Sequence, residues 1–433
     1  MPALNKVFEK LIYNRLAKFF KKYKIINNNQ FGFREGHSTE LAIAKFYEDT
    51  LTYLDNNEAC CAILLDLSKA FDSVDRDILL YKLKKYGIRG KPYQLLHSYL
   101  NNRYQYVQVN NIKSKLFPSK FGVPQGSIIS PLLFLILIND LKSCTNMEVI
   151  NFADDTLLYH KINNPNNAQQ WINNEFNIVS NWTSKNHLKL NIKKTHLIIF
   201  SSNSIKFKSL ENLSITSNNN TIQQTNNCKY LGLIIDNKFN WTDHIQKLKI
   251  QLSKIVGILY RIRYFLNKCS LNLILNSLIL SKLNYGIICY GRASKSAIRP
   301  IQIILNRALR CINYLKRQDK KTSLVYYQQG VLQIQDLFKL QVAKFCYKAN
   351  KNLLPSIFGQ IFIKTSTIHQ YSTRNSANKF YRISYNKTSG CNRLQNLGSK
   401  IWNEIPDELK DCKSIGTFVE KYKKLLIKKY LDF

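Results

Sequence analysis

Acidic residues are scarce in this chain. Only 27 Asp and Glu stand against 64 Lys and Arg, a formal net charge of +37 over 433 residues. Such an excess opposes compaction by self-repulsion unless counter-ions or a polyanion neutralise it. Nucleic acid is the polyanion whose phosphates supply most of the affinity in basic complexes. An anionic membrane surface is the rival partner, but the basic residues are spread along the chain instead of gathering on one amphipathic helix. Zinc-type cysteine spacing is missing too. There are 10 cysteines, Cys60 and Cys61 adjacent and the others scattered, with no C-x-x-C pair. Neither a zinc site nor a disulfide framework is legible, and the thiols read as reduced. No signal peptide opens the chain, since Met1-Pro2-Ala3-Leu4 leads straight into an amphipathic segment carrying Lys6, Glu9 and Lys10. The longest apolar run, Ile128 to Ile138, is broken by Ser130 and Pro131 and is too short to span a bilayer. No internal repeat is found. These absences point to an intracellular protein without membrane or zinc.

What is present reads as a globular chain, 45% hydrophobic and 12% aromatic, long enough for two or three domains. Helical spacing of apolar residues covers 4–21, and Ser38-Thr39-Glu40 opens a second helix over 38–56 by N-cap chemistry. Cys61 to Leu67 predicts a buried strand ending near Asp66. Asp72 and Ser73 then start a helix over 74–86, stopped at Gly87. A further helix covers 91–101, and Tyr104 to Asn110 alternates as a strand. Gly122 to Ser127 is a turn, and Ser130-Pro131 begins an apolar helix reaching about Lys142. Val149–Ala153 and Thr156–His160 form a hairpin with Asp154 and Asp155 at its tip. A helix over 168–187, a strand from Lys194 to Ser201, a polar loop or hairpin tip over 202–226 and a strand from Cys228 to Ile235 follow. From 244 to about 350 the pattern is helical, and the remainder is mixed, ending in a basic helix.

The acids define the chemistry. One carboxylate ends a buried strand and two sit at a hairpin tip, and neighbouring strands would bring Asp66 beside Asp154. Buried carboxylates without partners are costly, so a cation is expected there. Hard oxygen donors beside a polyanion favour Mg²⁺, and two such ions can activate an attacking hydroxyl and stabilise the leaving oxygen of an in-line phosphoryl displacement. Taken alone, an Asp-Asp pair is more often an ordinary turn.

The flanking residues change that balance. Leu65-Asp66-Leu67-Ser68-Lys69-Ala70-Phe71-Asp72 resembles the first catalytic motif of reverse transcriptases of non-LTR (LINE-type) retrotransposons. Gly122-Val123-Pro124-Gln125-Gly126-Ser127 with Ser130-Pro131-Leu132-Leu133-Phe134 resembles their second, and Phe152-Ala153-Asp154-Asp155 their third. Gln30-Phe31-Gly32-Phe33-Arg34 upstream, and Leu188-Lys189-Leu190-Asn191 with Lys194-Thr195 downstream, match in order and spacing. Tyr230-Leu231-Gly232 with Trp241 and His244 resembles the segment that steadies the primer end. Tyr285-Gly286 and Trp402-Asn403-Glu404-Ile405-Pro406 resemble, more loosely, the carboxy-terminal part of jockey- or CR1-like elements.

The resemblance implies an α+β right-hand polymerase: fingers and palm with an antiparallel sheet over 1–243, a helical thumb-like domain over 244–350 and a basic C-terminal region over 351–433. It implies RNA-directed DNA polymerase activity on an RNA template, a DNA primer and deoxynucleoside triphosphates. Asp66, Asp154 and Asp155 would form the metal site for two Mg²⁺ ions. Phe71 would lie under the sugar and reject a ribose 2′-hydroxyl, though an ordinary core aromatic is the alternative. Gln125 and Gly126 would approach nucleotide and template, or be a plain turn. Lys194 would donate a proton to leaving pyrophosphate, with Lys193 as its rival. Arg34 would contact the triphosphate or template, or be a surface arginine. Asp75 and Asp77 read as helix-start residues. Relatives carry an endonuclease and an Arg-Pro-Ile-like finger segment that this chain lacks, which raises the alternative of a truncated, inactive nucleic-acid-binding remnant. A nuclear location would follow from target-primed insertion.

Overall fold

In the computed structural model, which describes residues 3–201, 205–210, 213–217, 220–316, 318, 319, 321–359, 361–368 and 378–431, every residue of the strand Ala59–Leu65 is buried. That is what its unbroken apolar run requires: a strand covered on both faces has no polar side. It belongs to a four-stranded sheet in the order Glu148–Phe152, Asp155–Ile162, Ala59–Leu65, His196–Phe200. The first two strands form an antiparallel hairpin with Phe152 opposite Asp155. Helices and antiparallel strands in one chain give the expected α+β class.

The chain divides into two units. The first comprises Met1–Ala42, Cys60–Ile199 and Asn203–Thr225, the second Ile43–Ala59, Phe200–Ser202 and Asn226–Phe433. In the first, the helices Ala3–Lys22, Arg76–Lys85, Gly90–Leu100 and Ser130–Ile138 share a core of Phe20, Val74, Leu83, Leu100, Ile129 and Phe134. Helix Ser130–Ile138 is apolar all round and correspondingly buried on nearly every residue, with Pro131 in its first turn, where a missing N–H costs nothing.

Helix Arg76–Lys85 begins later than the sequence predicts, because Asp75, not Asp72, is its N-cap: the Asp75 carboxylate accepts from the Asp77 and Ile78 N–H groups at 2.9 and 3.0 Å. The predicted strand over 104–110 is instead two fragments, Tyr104–Gln105 paired with Phe117–Pro118 and Gln108–Val109 paired with Ile112–Lys113. All of these residues are exposed, so no buried face extends the pairing. The segment Ser214–Ser217 pairs with Asn220–Gln223, a hairpin within the stretch 202–226 expected to be a loop or hairpin tip.

In the second unit the predicted single strand over 228–235 is a hairpin, Asn227–Tyr230 against Leu233–Asp236. Leu231 and Gly232 both take positive φ, 43° and 88°, the backbone a two-residue turn between twisted strands needs. The Asp236 carboxylate then accepts from the N–H groups of Lys238, Asn240 and Trp241 and turns the chain into the helix Thr242–Ile262. That helix packs along Lys295–Ile312. Ile334–Asn350 packs on Leu394–Asn403 and Ile415–Lys428 around Tyr347, Trp402 and Phe418, with Phe380 stacked on Trp402 at 5.4 Å.

Candidate active site

Asp66 follows directly on the buried strand Ala59–Leu65 and is clamped on both sides. Its carbonyl accepts from Asn191 N–H at 2.8 Å, and Ser68 N–H donates to the Lys189 carbonyl at 2.8 Å. The Leu188–Asn191 motif is thus the brace that fixes where the Asp66 backbone lies. Asp154 occupies the two-residue turn of the hairpin Glu148–Phe152 and Asp155–Ile162. Ala153 before it takes φ +57°, a conformation a non-glycine residue holds only when its surroundings impose it. Those surroundings are the Gln30 motif. Phe31 N–H donates to the Asn151 carbonyl at 2.7 Å, Asn151 N–H to the Asn29 carbonyl at 2.9 Å, and the Gln30 Oε1 accepts from Gly32 and Ala153 N–H at 2.8 and 3.1 Å.

Asp154 is half-buried, and loss of hydration raises its carboxyl above the ordinary range. The negative charge of Asp66 raises it further, against a lowering bond from its own backbone. Sheet order and hairpin register therefore bring the two acids within electrostatic reach of each other. Asp155 opens the next strand and is exposed. Among the described residues, no cluster of three or more His, Cys, Asp or Glu side chains has metal-holding geometry, so the expected set of Asp66, Asp154 and Asp155 does not stand together as one. A carboxylate whose affinity for a positive charge is raised by burial and by a second carboxylate suits a hard divalent cation.

Phe71 is half-buried, stacked on Phe134 at 4.6 Å and edge-on to Phe33 at 6.5 Å. Its carbonyl accepts from Val123 N–H at 3.0 Å, which joins the first motif to the second. Gly122, at φ +80°, could not carry a side chain: a Cβ there would lie 2.8 Å from the Asp72 carbonyl oxygen. Gln125 Nε2 donates to Asp72 Oδ1 at 2.8 Å. Gly126, at φ +76°, faces open space. Arg34 is half-buried, its guanidinium destabilised by lost hydration, and its Nη1 donates to the Asn27 and Gln30 carbonyls at 2.7 and 3.2 Å. Lys194 does not begin a strand. It closes a short 3-10 turn, Ile192–Lys194, before the strand His196–Phe200, and its side chain is exposed.

Three residues that the motif reading passed over hold the Gln125–Gly126 turn. Glu9, buried in helix Ala3–Lys22, accepts from Ile128 N–H at 2.8 Å and from the Tyr99 hydroxyl at 2.7 Å. Tyr99 also reaches Ser127 Oγ at 2.7 Å. Arg76 donates to the Gly122 and Phe121 carbonyls, each at 2.8 Å, and to Ser119. A lone acid on an otherwise apolar helix face was the only local sign of this network.

In the second unit, Tyr285 and the Leu231–Gly232 turn account for each other. A Cβ on Gly232 would lie 3.1 Å from the Tyr285 ring, and the Tyr285 hydroxyl donates to the Leu231 carbonyl. His244 is buried, its imidazole pushed down to about 4 by lost hydration and by Lys247, and its Nδ1 accepts from Ile234 N–H at 3.4 Å.

Residues 1–235 match the family described as reverse transcriptase (RNA-dependent DNA polymerase), over half of the chain. Among curated relatives, the "Probable RNA-directed DNA polymerase from transposon BS" of Drosophila melanogaster is 30% identical over 352 residues, which are 78% of this chain and 37% of the relative. The RNA-directed DNA polymerase from mobile element jockey of the same fly is 28% identical over 75% of this chain and 36% of its own length. The chain thus spans little more than a third of these relatives. Among solved structures, apo telomerase from Candida tropicalis aligns at a TM-score of 0.40 and 12% identity, over 79% of this chain and 58% of that one.

Proposed function

Because this chain belongs to the reverse transcriptase (RNA-dependent DNA polymerase) family, we propose that it is the polymerising part of a non-LTR retrotransposon's RNA-directed DNA polymerase. It would extend a DNA primer with deoxynucleotides along an RNA template, in the nucleus. The observation that carries this is the pairing of Asp66 with Asp154, whose carboxyl is raised by burial and by Asp66 together. The family generally uses divalent metals. In this chain Asp66 and Asp154 would hold Mg²⁺, with exposed Asp155 adding negative charge beside them. Bound there, two such ions lower the pKa of an attacking hydroxyl and steady the developing charge of the leaving oxygen.

The remaining roles belong to the protein's own groups. Phe71, held by Phe134 and Phe33, presents a rigid ring where a 2′-hydroxyl would collide, which selects deoxyribose. Gln125, oriented by Asp72, and Gly126, open to solvent, form a backbone approach to the nucleotide and template. Lys194 lies three residues beyond Asn191, whose N–H holds the Asp66 carbonyl, and there it would hand a proton to leaving pyrophosphate. Arg34 would meet the triphosphate or template through the guanidinium nitrogens other than Nη1.

The test is Mg²⁺-dependent extension of a DNA primer on an RNA template by the full chain. The wild type extends, while Asp154→Ala and Asp66→Ala lose extension but keep RNA binding. No extension by the wild type, or equal extension by Asp154→Ala, would overturn the reading.

A further inference from the structure

Where the long helix Thr242–Ile262 ends, the Arg263 guanidinium lies 5.2 Å from the ring centre of Tyr260, 4.6 Å from Tyr264 and 5.7 Å from Tyr314. Arg263 donates to the Tyr264 hydroxyl at 2.5 Å, the Tyr314 hydroxyl donates to the Arg263 carbonyl at 2.7 Å, and the two tyrosine rings are 5.8 Å apart. The hydroxyls are thus tied to the arginine while the rings stay in water: Tyr264 is 71% exposed and neighbouring Phe265 86%. Aromatic rings gathered in solvent around a cation mark an interaction surface, since their apolar area gains nothing where it stands.

Charge says what the surface accepts. Between Asp243 and Asp319 the chain holds no acidic residue, while exposed Arg261, Lys268 and Lys316 adjoin the cluster in sequence. A polyanion with flat π faces fits both features. We propose that Tyr260, Arg263, Tyr264, Phe265 and Tyr314 form a stacking platform for unpaired nucleotides, occupied by single-stranded RNA. Bases stack on the exposed rings, and the arginine and the adjoining cations answer the phosphates. Every base has a π face, so the platform is indifferent to sequence. Stacking on a π face is indifferent to the sugar, so single-stranded DNA binds by the same chemistry. A duplex, whose bases are already stacked on each other, gains only phosphate contacts. The inference rests on the polymerase reading only for RNA as the natural strand.

The experiment measures binding of the full chain to fluorescent oligouridylate, oligothymidylate and a blunt RNA–DNA duplex by anisotropy, beside primer extension. Tyr264→Ala with Phe265→Ala weakens both single strands roughly tenfold or more and the duplex less than about twofold, and Tyr264→Trp with Phe265→Trp restores wild-type binding. Tyr264 and Phe265 are exposed, so both pairs leave the fold intact, which melting checks, and Tyr264→Ala loses only its surface contacts with Arg263 and the Tyr314 ring. An equal loss on the duplex, no loss on the single strands, or a loss confined to RNA overturns the proposal. Absence of extension in the wild type, with the binding pattern intact, overturns the polymerase reading and leaves the platform standing.

Discussion

Gly32 has no room for a side chain: a Cβ there would lie 2.3 Å from Ala153 N, in the turn that carries Asp154. Gly32→Ala therefore pushes the Gln30–Gly32 segment away from the hairpin tip and displaces Asp154. The expected outcome is a fall of about a hundredfold in the single-turnover extension rate, the scale of a misplacement of about 1 Å, beyond what the accompanying loss of about 1–3 kcal/mol of stability explains for a chain still folded in a melting scan. His244 contributes a pH dependence. Its imidazole titrates at about 4 in the folded chain against an ordinary 6.5, so the unfolded chain takes up a proton that the folded one refuses as pH falls through that window. The stability His244 contributes is complete above 6.5, declines toward 4 by about 3 kcal/mol and levels below it. Urea titrations between pH 7 and pH 4 check this, and His244→Asn, which keeps an acceptor without the titration, flattens that decline. At this scale the sequence named the candidate acids but not the positions that hold them. Asp66 and Asp154 stand in recognisable strings, whereas Glu9 and Arg76 act through bonds to residues far along the chain.

Among the elements, helix Thr39–Asp55 does more than its pattern suggests. Its Glu48 is buried and accepts from Leu394 and Gln395 N–H at 2.5 and 3.3 Å, at the start of helix Leu394–Asn403, with Arg393 at 3.4 Å. Burial raises its carboxyl even against Arg292, Arg393 and those two N–H groups. Asp55 accepts from Asn386 and Lys387 N–H at 3.0 and 2.8 Å. Glu48→Ala strips a helix start of its acceptor and leaves a buried guanidinium without its carboxylate, which costs about 3 kcal/mol of unfolding free energy. Glu48→Gln, which keeps an acceptor, costs less. Chemical denaturation of both variants tests the order. N-cap chemistry located Thr39–Asp55 well, and two β-rich runs located the hairpin, although its turn is Ala153–Asp154 and Asp155 already belongs to the second strand. The strands over 104–110 and 228–235 were misread because alternation says that a segment is extended, not whether a partner buries it or a turn splits it.

For the whole molecule, the net charge of +37 would govern how it meets the nucleic acid proposed as its partner. Each phosphate neutralised releases a counter-ion, so affinity falls steeply with salt. Raising salt from about 50 to about 200 mM weakens RNA binding by roughly a hundredfold or more, as for a protein that neutralises several phosphates. Anisotropy titrations at several salt concentrations read the slope, and a flat response refutes phosphate-dominated binding. The sequence by itself determined the family and the basic charge, and it singled out the acids proposed to be catalytic, because composition and short ordered motifs are local properties that survive without coordinates. Only the tertiary structure decided what fixes those motifs in place: Gln30 against the turn before Asp154, Asn191 on the Asp66 carbonyl, Glu48 and Asp55 on a segment more than three hundred residues away. Each such bond has at least one end on a backbone group of the kind every residue carries, and nothing in a side-chain pattern records which distant carbonyl or N–H will be the partner.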